Sequence, residues 1–208
     1  MLERRQRGDT LIEVLFAFTI LSLVIVGAMT IMNQGTLASQ RSLETTLVRD
    51  QIDAQATTLR FLHDAYVAGY RTNGTYDAAT PAGQWQAMVA GITATTASPF
   101  DTGTRVCPAA PSGSFILNSA QAKYIKSDTG ALSPAQTFAQ VTYDDSTGAL
   151  LASQGIWIEA IRSQITGDAT ADDNARFIDF HIRACWENPG QGPVMTIGTI
   201  VRLYEPRG

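Results

Sequence analysis

From Val14 to Met32 the sequence runs without a charged residue. At about 1.5 Å per residue, a helix over that run reaches roughly 28 Å, close to the hydrocarbon thickness of a bilayer. A stretch of this kind predicts a membrane-spanning helix and leaves the remainder of the chain to fold in water. One acid, Glu13, stands at its start. A carboxylate at the centre of a lipid-embedded helix costs about 2.5 to 3.5 kcal/mol, and less near an end, so a partner that offsets the cost is expected. Ahead of it, Met1 to Gly8 carries three Arg against one Glu. Basic residues beside a span hold that side in the cytoplasm and send the body outward. Gly8, at the junction, offers a protease an extended position with no side chain.

Taken together, the basic leader, Gly8, Thr10-Leu11-Ile12-Glu13 and the long apolar run resemble the N-terminal signature of type IV prepilins and pseudopilins. The resemblance reaches as far as Met32. It implies cleavage by a prepilin peptidase between Gly8 and Asp9, methylation of the new N-terminal amine, and assembly with other pilin subunits into a filament through the apolar helix. Glu13 would then pair with the amine of a neighbouring subunit, since a carboxylate among apolar helices is costly alone and a charged, hydrogen-bonded partner removes most of that cost. Asp9 departs from the Phe or other apolar residue usual at its position, and no proline interrupts the run, as one does in many major pilins. Both departures align the chain with a minor pilin or pseudopilin.

The same residues admit plainer readings. Thr10-x-x-Glu13 is also a capping box, which satisfies free N–H groups at a helix start. A cleaved secretory signal is another, with Thr36-Leu37-Ala38 as a poor cleavage site, but such signals have apolar cores of about 7 to 15 residues. A simple membrane anchor is the third.

With 208 residues, 45% of them hydrophobic and 16% charged, the chain has room for the span and one globular domain of roughly 150 residues. The expected division is a leader at 1–8, a transmembrane and assembly helix at 9–34, an amphipathic continuation at 35–69 and an extracytoplasmic head at 70–208. The net charge is −4, and loss of the leader makes it −6. That sign opposes nonspecific binding to phosphates, so no nucleic acid partner is expected.

In the continuation, Leu43, Leu47, Ala54, Thr58, Leu62, Ala65 and Tyr66 recur at helical intervals and predict the face that a domain covers. The opposite face carries Arg41, Glu44, Arg49, Asp53, Arg60 and Asp64, with Arg49/Asp53 and Arg60/Asp64 spaced for weak helical ion pairs. The section 70–135 reads as irregular, with a short helix over Ala82 to Gly91 around Trp85. From 136 to 208 the pattern predicts an antiparallel sheet. Phe138 to Tyr143 and Ala149 to Ser153 flank a turn at Asp144 to Gly148, and Ile156 to Ile165 follows. Arg176 to Trp186 alternates Ile178, Phe180, Ile182, Ala184 and Trp186 on one face, and with Val194 to Tyr204 it predicts a hairpin. The fold class is therefore α+β, a long N-terminal helix packed by its C-terminal half against an antiparallel sheet, the layout of pilins.

Cys107 and Cys185 both fall in the part placed outside the cytoplasm and are expected to pair. In the chain-entropy account, closing so long a loop contributes up to roughly 4.5 kcal/mol. Neither Cys has the close Cys or His of a zinc site, so no metal and no cofactor are expected. His63 and His181 lack a nucleophile context, and no hydrolase motif occurs, so the chain does not read as an enzyme. Asp168, Asp172, Asp173 and Asn174 form an oxygen-rich loop without the spacing of a calcium-binding EF-hand. The leading expectation is a structural filament subunit. The alternative is a filament-tip adhesin or membrane-anchored binding protein that would use exposed aromatic residues of the middle section.

Overall fold

The computed structural model describes residues 9–71, 74–100, 106–126, 130–163, 176–189 and 192–206. Two helices, α1 (Asp9–Ala68) and α2 (Pro81–Ala90), precede the strands β1 (Phe115–Asn118), β2 (Lys123–Lys126), β3 (Leu132–Ser133), β4 (Gln140–Tyr143), β5 (Leu150–Gln154), β6 (Ile156–Arg162), β7 (Phe177–Trp186) and β8 (Met195–Tyr204). The chain divides into two compact units, Met1–Leu43 and Glu44–Gly208, with the boundary inside α1. The fold is α+β.

In the larger unit, five strands pair in the order β2-β1-β6-β7-β8, each with its neighbour antiparallel. The alternation read in β7 appears in full: Ile178, Phe180, Ile182, Ala184 and Trp186 are all completely buried, because every second side chain of a strand points to the same face. Against that face lies the part of α1 beyond Glu44. Its covered residues are Val48, Ile52, Gln55, Ala56, Thr58, Leu59 and Leu62. This corrects the stripe expected from the sequence: Leu43 and Leu47 are exposed, and Ala54, Ala65 and Tyr66 are only partly covered, while Val48, Ile52 and Leu59 carry the contact. The helix is turned because its buried face admits polar Gln55, which an apolar-only count passes over.

Gln55 has a specific task. Its side-chain amide donates to the Leu117 carbonyl at 2.8 Å and accepts from the Leu117 N–H at 2.9 Å, imitating a neighbouring strand where β6 pairs with β1 only at Phe115. Gln55→Ala leaves a buried donor and a buried acceptor unmatched, each worth about 1 to 3 kcal/mol. The variant should lose about 2 to 4 kcal/mol of stability in urea denaturation. An unchanged midpoint would show that the bridge is dispensable.

The section read as irregular, 70–135, contains α2, β1, β2 and β3. All four residues of β1 are buried. Continuous burial on both faces gives no alternation, which hides so short a strand from pattern reading. α2 starts where Thr80 accepts from the Gly83 N–H and Pro81 takes the first helical position, a common N-terminal arrangement. It brings Trp85 into the core beside Phe180 and His63, with ring centroids at 5.6 and 5.0 Å. Trp85 is 2% exposed. Trp85 therefore belongs to the core, whereas Tyr70, Tyr76, Phe100 and Tyr124 of the same section are half-buried.

The expected single sheet is also corrected, because β3, β5 and β4 form a second, three-stranded sheet in which β3 and β5 run parallel. Gly155 makes the passage from β5 into β6 with φ at +69°, and a Cβ there would strike the Cys185 carbonyl oxygen and Ala135. Only glycine meets both demands.

The turn at Asp144 to Gly148 is present. One Asp144 carboxylate oxygen accepts from the N–H and hydroxyl of both Ser146 and Thr147. These bonds, led by the Ser146 hydroxyl, favour the charged form and lower its pKa to about 2. A folded pKa below the unfolded value means that the turn's stabilisation is present above about pH 4 and is lost as pH falls toward 2. The Ser146 and Thr147 amide resonances should titrate together near pH 2. A midpoint near the ordinary carboxylate value would oppose this.

On the outer sheet face, Glu159 is buried and accepts from the Ser98 N–H at 2.8 Å, with Arg183 at 3.1 Å from its other oxygen. Arg183 in turn donates to the Ser98 carbonyl and sits over the Phe100 ring. This set pins residues 98–100 to the sheet. The helical pairs expected of the α1 polar face do not form, since Asp64 meets His63 instead of Arg60.

Candidate assembly site

Leu, Ile, Val, Phe and Met dominate α1 up to Met32, and in the structure they are exposed: Leu23 is 73% and Ile31 72% accessible. This helix is long and apolar enough to cross a membrane, and its most apolar stretch has no buried residue. Side chains of this kind left in water would be very unfavourable, at about 25 cal/mol per Å² of apolar surface.

The polar groups within the run are the informative ones. Between Val14 and Met32 only Thr19, Ser22 and Thr30 carry polar side chains. Each hydroxyl donates to a carbonyl one turn back: Thr19 to Phe16, Ser22 to Phe18 and Thr30 to Val26, at 2.8 to 2.9 Å. That is what lipid demands, because an unmatched donor there finds no water. Glu13 stands apart. It is exposed on the first turns of α1, and no cation pairs with it among the described residues. Because α1 already includes Asp9, Thr10 lies inside the first turn, not at the cap position that a capping box requires. Gly8, the leader and the Asp9 side chain lie outside the described residues.

In the larger unit, Cys107 and Cys185 form a disulfide with Cα atoms 5.6 Å apart. Cys185 is fully buried at the end of β7, so the bond ties the segment before β1 to the strand next to the β8 edge of the five-stranded sheet. A cavity of about 280 Å³ opens beside it. Pro108, Pro111, Leu132, Pro134, Ile156 and Trp157 contribute to its wall, and no acid, base or free thiol does.

The two histidines do not meet a nucleophile. His63 reaches the Tyr204 carbonyl at 2.9 Å, while His181 is held below its ordinary pKa by burial and by Arg183, with Glu159 and Asp179 acting in the opposite sense. No cluster of ligating side chains suited to a metal occurs among the described residues. The oxygen-rich loop at Asp168 to Asn174 lies outside them. Two supports were missed in the sequence: Gln55, and Glu44, whose carboxylate accepts from the Trp186 indole at 3.0 Å. A polar residue at a core-facing helical position is the only signal that pointed to Gln55.

Residues 4–29 match the family described as the prokaryotic N-terminal methylation motif. The chain carries a prepilin-type N-terminus. The match covers residues 4–29 of the 208 and supports a pilin-like N-terminus of the kind processed by a prepilin peptidase and anchored in a membrane. The motif points to a structural protein. It spans Glu13 and most of the exposed apolar run of α1. No curated protein and no solved structure matches the chain.

Proposed function

We propose that this chain is a minor pilin or pseudopilin, a structural subunit of a type IV pilus or of a related secretion or uptake filament. Prepilin peptidase cuts after Gly8, leaving Asp9 as the first residue. Before assembly the chain spans the membrane once with its N-terminus in the cytoplasm. Residues 9–34 serve as span and assembly helix, 35–69 as its continuation and 70–208 as the extracytoplasmic head. On assembly, Glu13 pairs with the N-terminal amine of a neighbouring subunit.

One observation carries this reading. Along the exposed apolar run from Val14 to Met32 every hydroxyl is internally bonded, while Glu13 at its start has no partner among the described residues. A carboxylate in that setting needs a cation from outside the helix, and a freshly cut amine among packed helices supplies one. N-terminal sequencing of the mature protein tests the processing step. A start at Asp9 is expected; a start near Ser39 would indicate a secretory signal, and an intact Met1 a plain anchor.

A further inference from the structure

We propose that the outer edge of β8 is a docking edge for β8 of a second copy of this chain, the two strands running antiparallel so that two heads share one ten-stranded sheet. The inference does not depend on the prepilin reading.

The Glu205 N–H donates to the Arg176 carbonyl, which sets the hydrogen-bonding phase of the β7–β8 ladder. Counting back by twos, Met195, Ile197, Thr199, Val201 and Leu203 turn their backbone groups toward β7. Thr196, Gly198, Ile200 and Arg202 turn theirs outward. The Tyr204 carbonyl is already taken by His63. From Thr196 to Arg202 the outward N–H and C=O groups find no partner among the described residues, and all four of these residues are exposed.

Proteins usually guard such an edge with Lys, Pro, a bulge, a covering element or short length. The opposite edge of this sheet is guarded in several of these ways. β2 has only four residues, begins and ends with Lys, and has its Tyr124 N–H covered by Gln84 of α2. In the smaller sheet, β3 and β4 are equally short or shorter. β8 has ten residues, pairs along its whole length with no shift of register, and contains no Lys or Pro. It also exposes Ile200 at 60%. Among the described residues, this edge is open to pairing.

The strand is complementary to itself. Its one charge, Arg202, is held by Asp179 of its own sheet at 2.7 and 2.8 Å. An antiparallel pair centred on Thr199 sets Thr196 of one copy opposite Arg202 of the other, and Gly198 opposite Ile200. Every outward backbone group from Thr196 to Arg202 is then matched, and no two like charges oppose each other. The bare backbone of Gly198 leaves room for the Ile200 side chain of the other copy. A strand of unrelated sequence would match the backbone equally well, but not this charge and size pattern.

Centring on Thr199 brings the two Thr199 residues together as a non-hydrogen-bonded pair with Cα atoms about 4.5 Å apart, within disulfide reach. The full-length chain in detergent micelles, carrying Thr199→Cys, should therefore convert mostly to a covalent dimer under mild oxidation. Asp145→Cys, also exposed but in the turn between β4 and β5 of the other sheet, should give less than a tenth of that yield. The native cysteines are bonded to each other and do not interfere. Adding Ile200→Lys should cut the Thr199→Cys dimer at least fivefold while the circular dichroism spectrum stays that of the parent, since Ile200 is exposed in the single chain. Equal yields at the two cysteine positions, insensitivity to Ile200→Lys, or crosslinking only to a different protein would each overturn the proposal.

Discussion

Glu13→Val is expected to leave the protein in the membrane at its normal level and to remove it from sheared filaments, with incorporation falling more than tenfold. The variant separates insertion from assembly. Valine in place of a carboxylate makes the apolar run longer and its transfer into lipid more favourable, so loss from filaments cannot be attributed to failed anchoring. What disappears is a charge-assisted contact. Removing one partner of a buried ion pair costs about 3 to 5 kcal/mol, because the remaining charge is left without compensation. Each 1.4 kcal/mol is a factor of ten in an equilibrium, so the expected decrease is large even if much of the contact stays hydrated. Immunoblots of membrane and sheared fractions give the measurement. Unchanged incorporation would end the docking role of Glu13.

The second large effect concerns the disulfide. Cys107 and Cys185 are separated by 78 positions, and freeing a loop of that length returns about 4.5 kcal/mol of chain entropy to the unfolded state. The double variant Cys107→Ala/Cys185→Ala should melt about 10 to 18 °C below the parent, if a domain of this size loses about 2 to 4 °C per kcal/mol. A reductant should lower the parent's melting temperature by a similar amount and leave the double variant unaffected. Circular dichroism melts with and without reductant distinguish the outcomes. A parent indifferent to reductant would mean that the bond constrains little.

What could be read from the sequence followed from how locally each feature is encoded. β7 was legible because alternation over ten residues is itself the structural signal, and α2 was expected around Trp85 although the Thr80 cap and Pro81 that set its start were not read. β1 was not, since four residues buried on both faces carry no period. The covered face of α1 was misjudged because the partner of Gln55 lies 62 positions away and that of the Glu44 carboxylate 142 away. Nothing near either residue reveals whether its polar group will be satisfied on burial. Glu13 stood out for the opposite reason, as a lone acid beside a run whose other polar groups are few.

Those few polar groups carry one more consequence. With the hydroxyls of Thr19, Ser22 and Thr30 turned back onto their own helix, the surface from Val14 to Met32 presents a lateral neighbour with hydrocarbon and no free donor. Packing against such a surface depends weakly on rotation about the helix axis, because few contacts are lost when one methyl group replaces another. The span would behave as a smooth shaft, free to turn among its neighbours, with a single keyed tooth near one end.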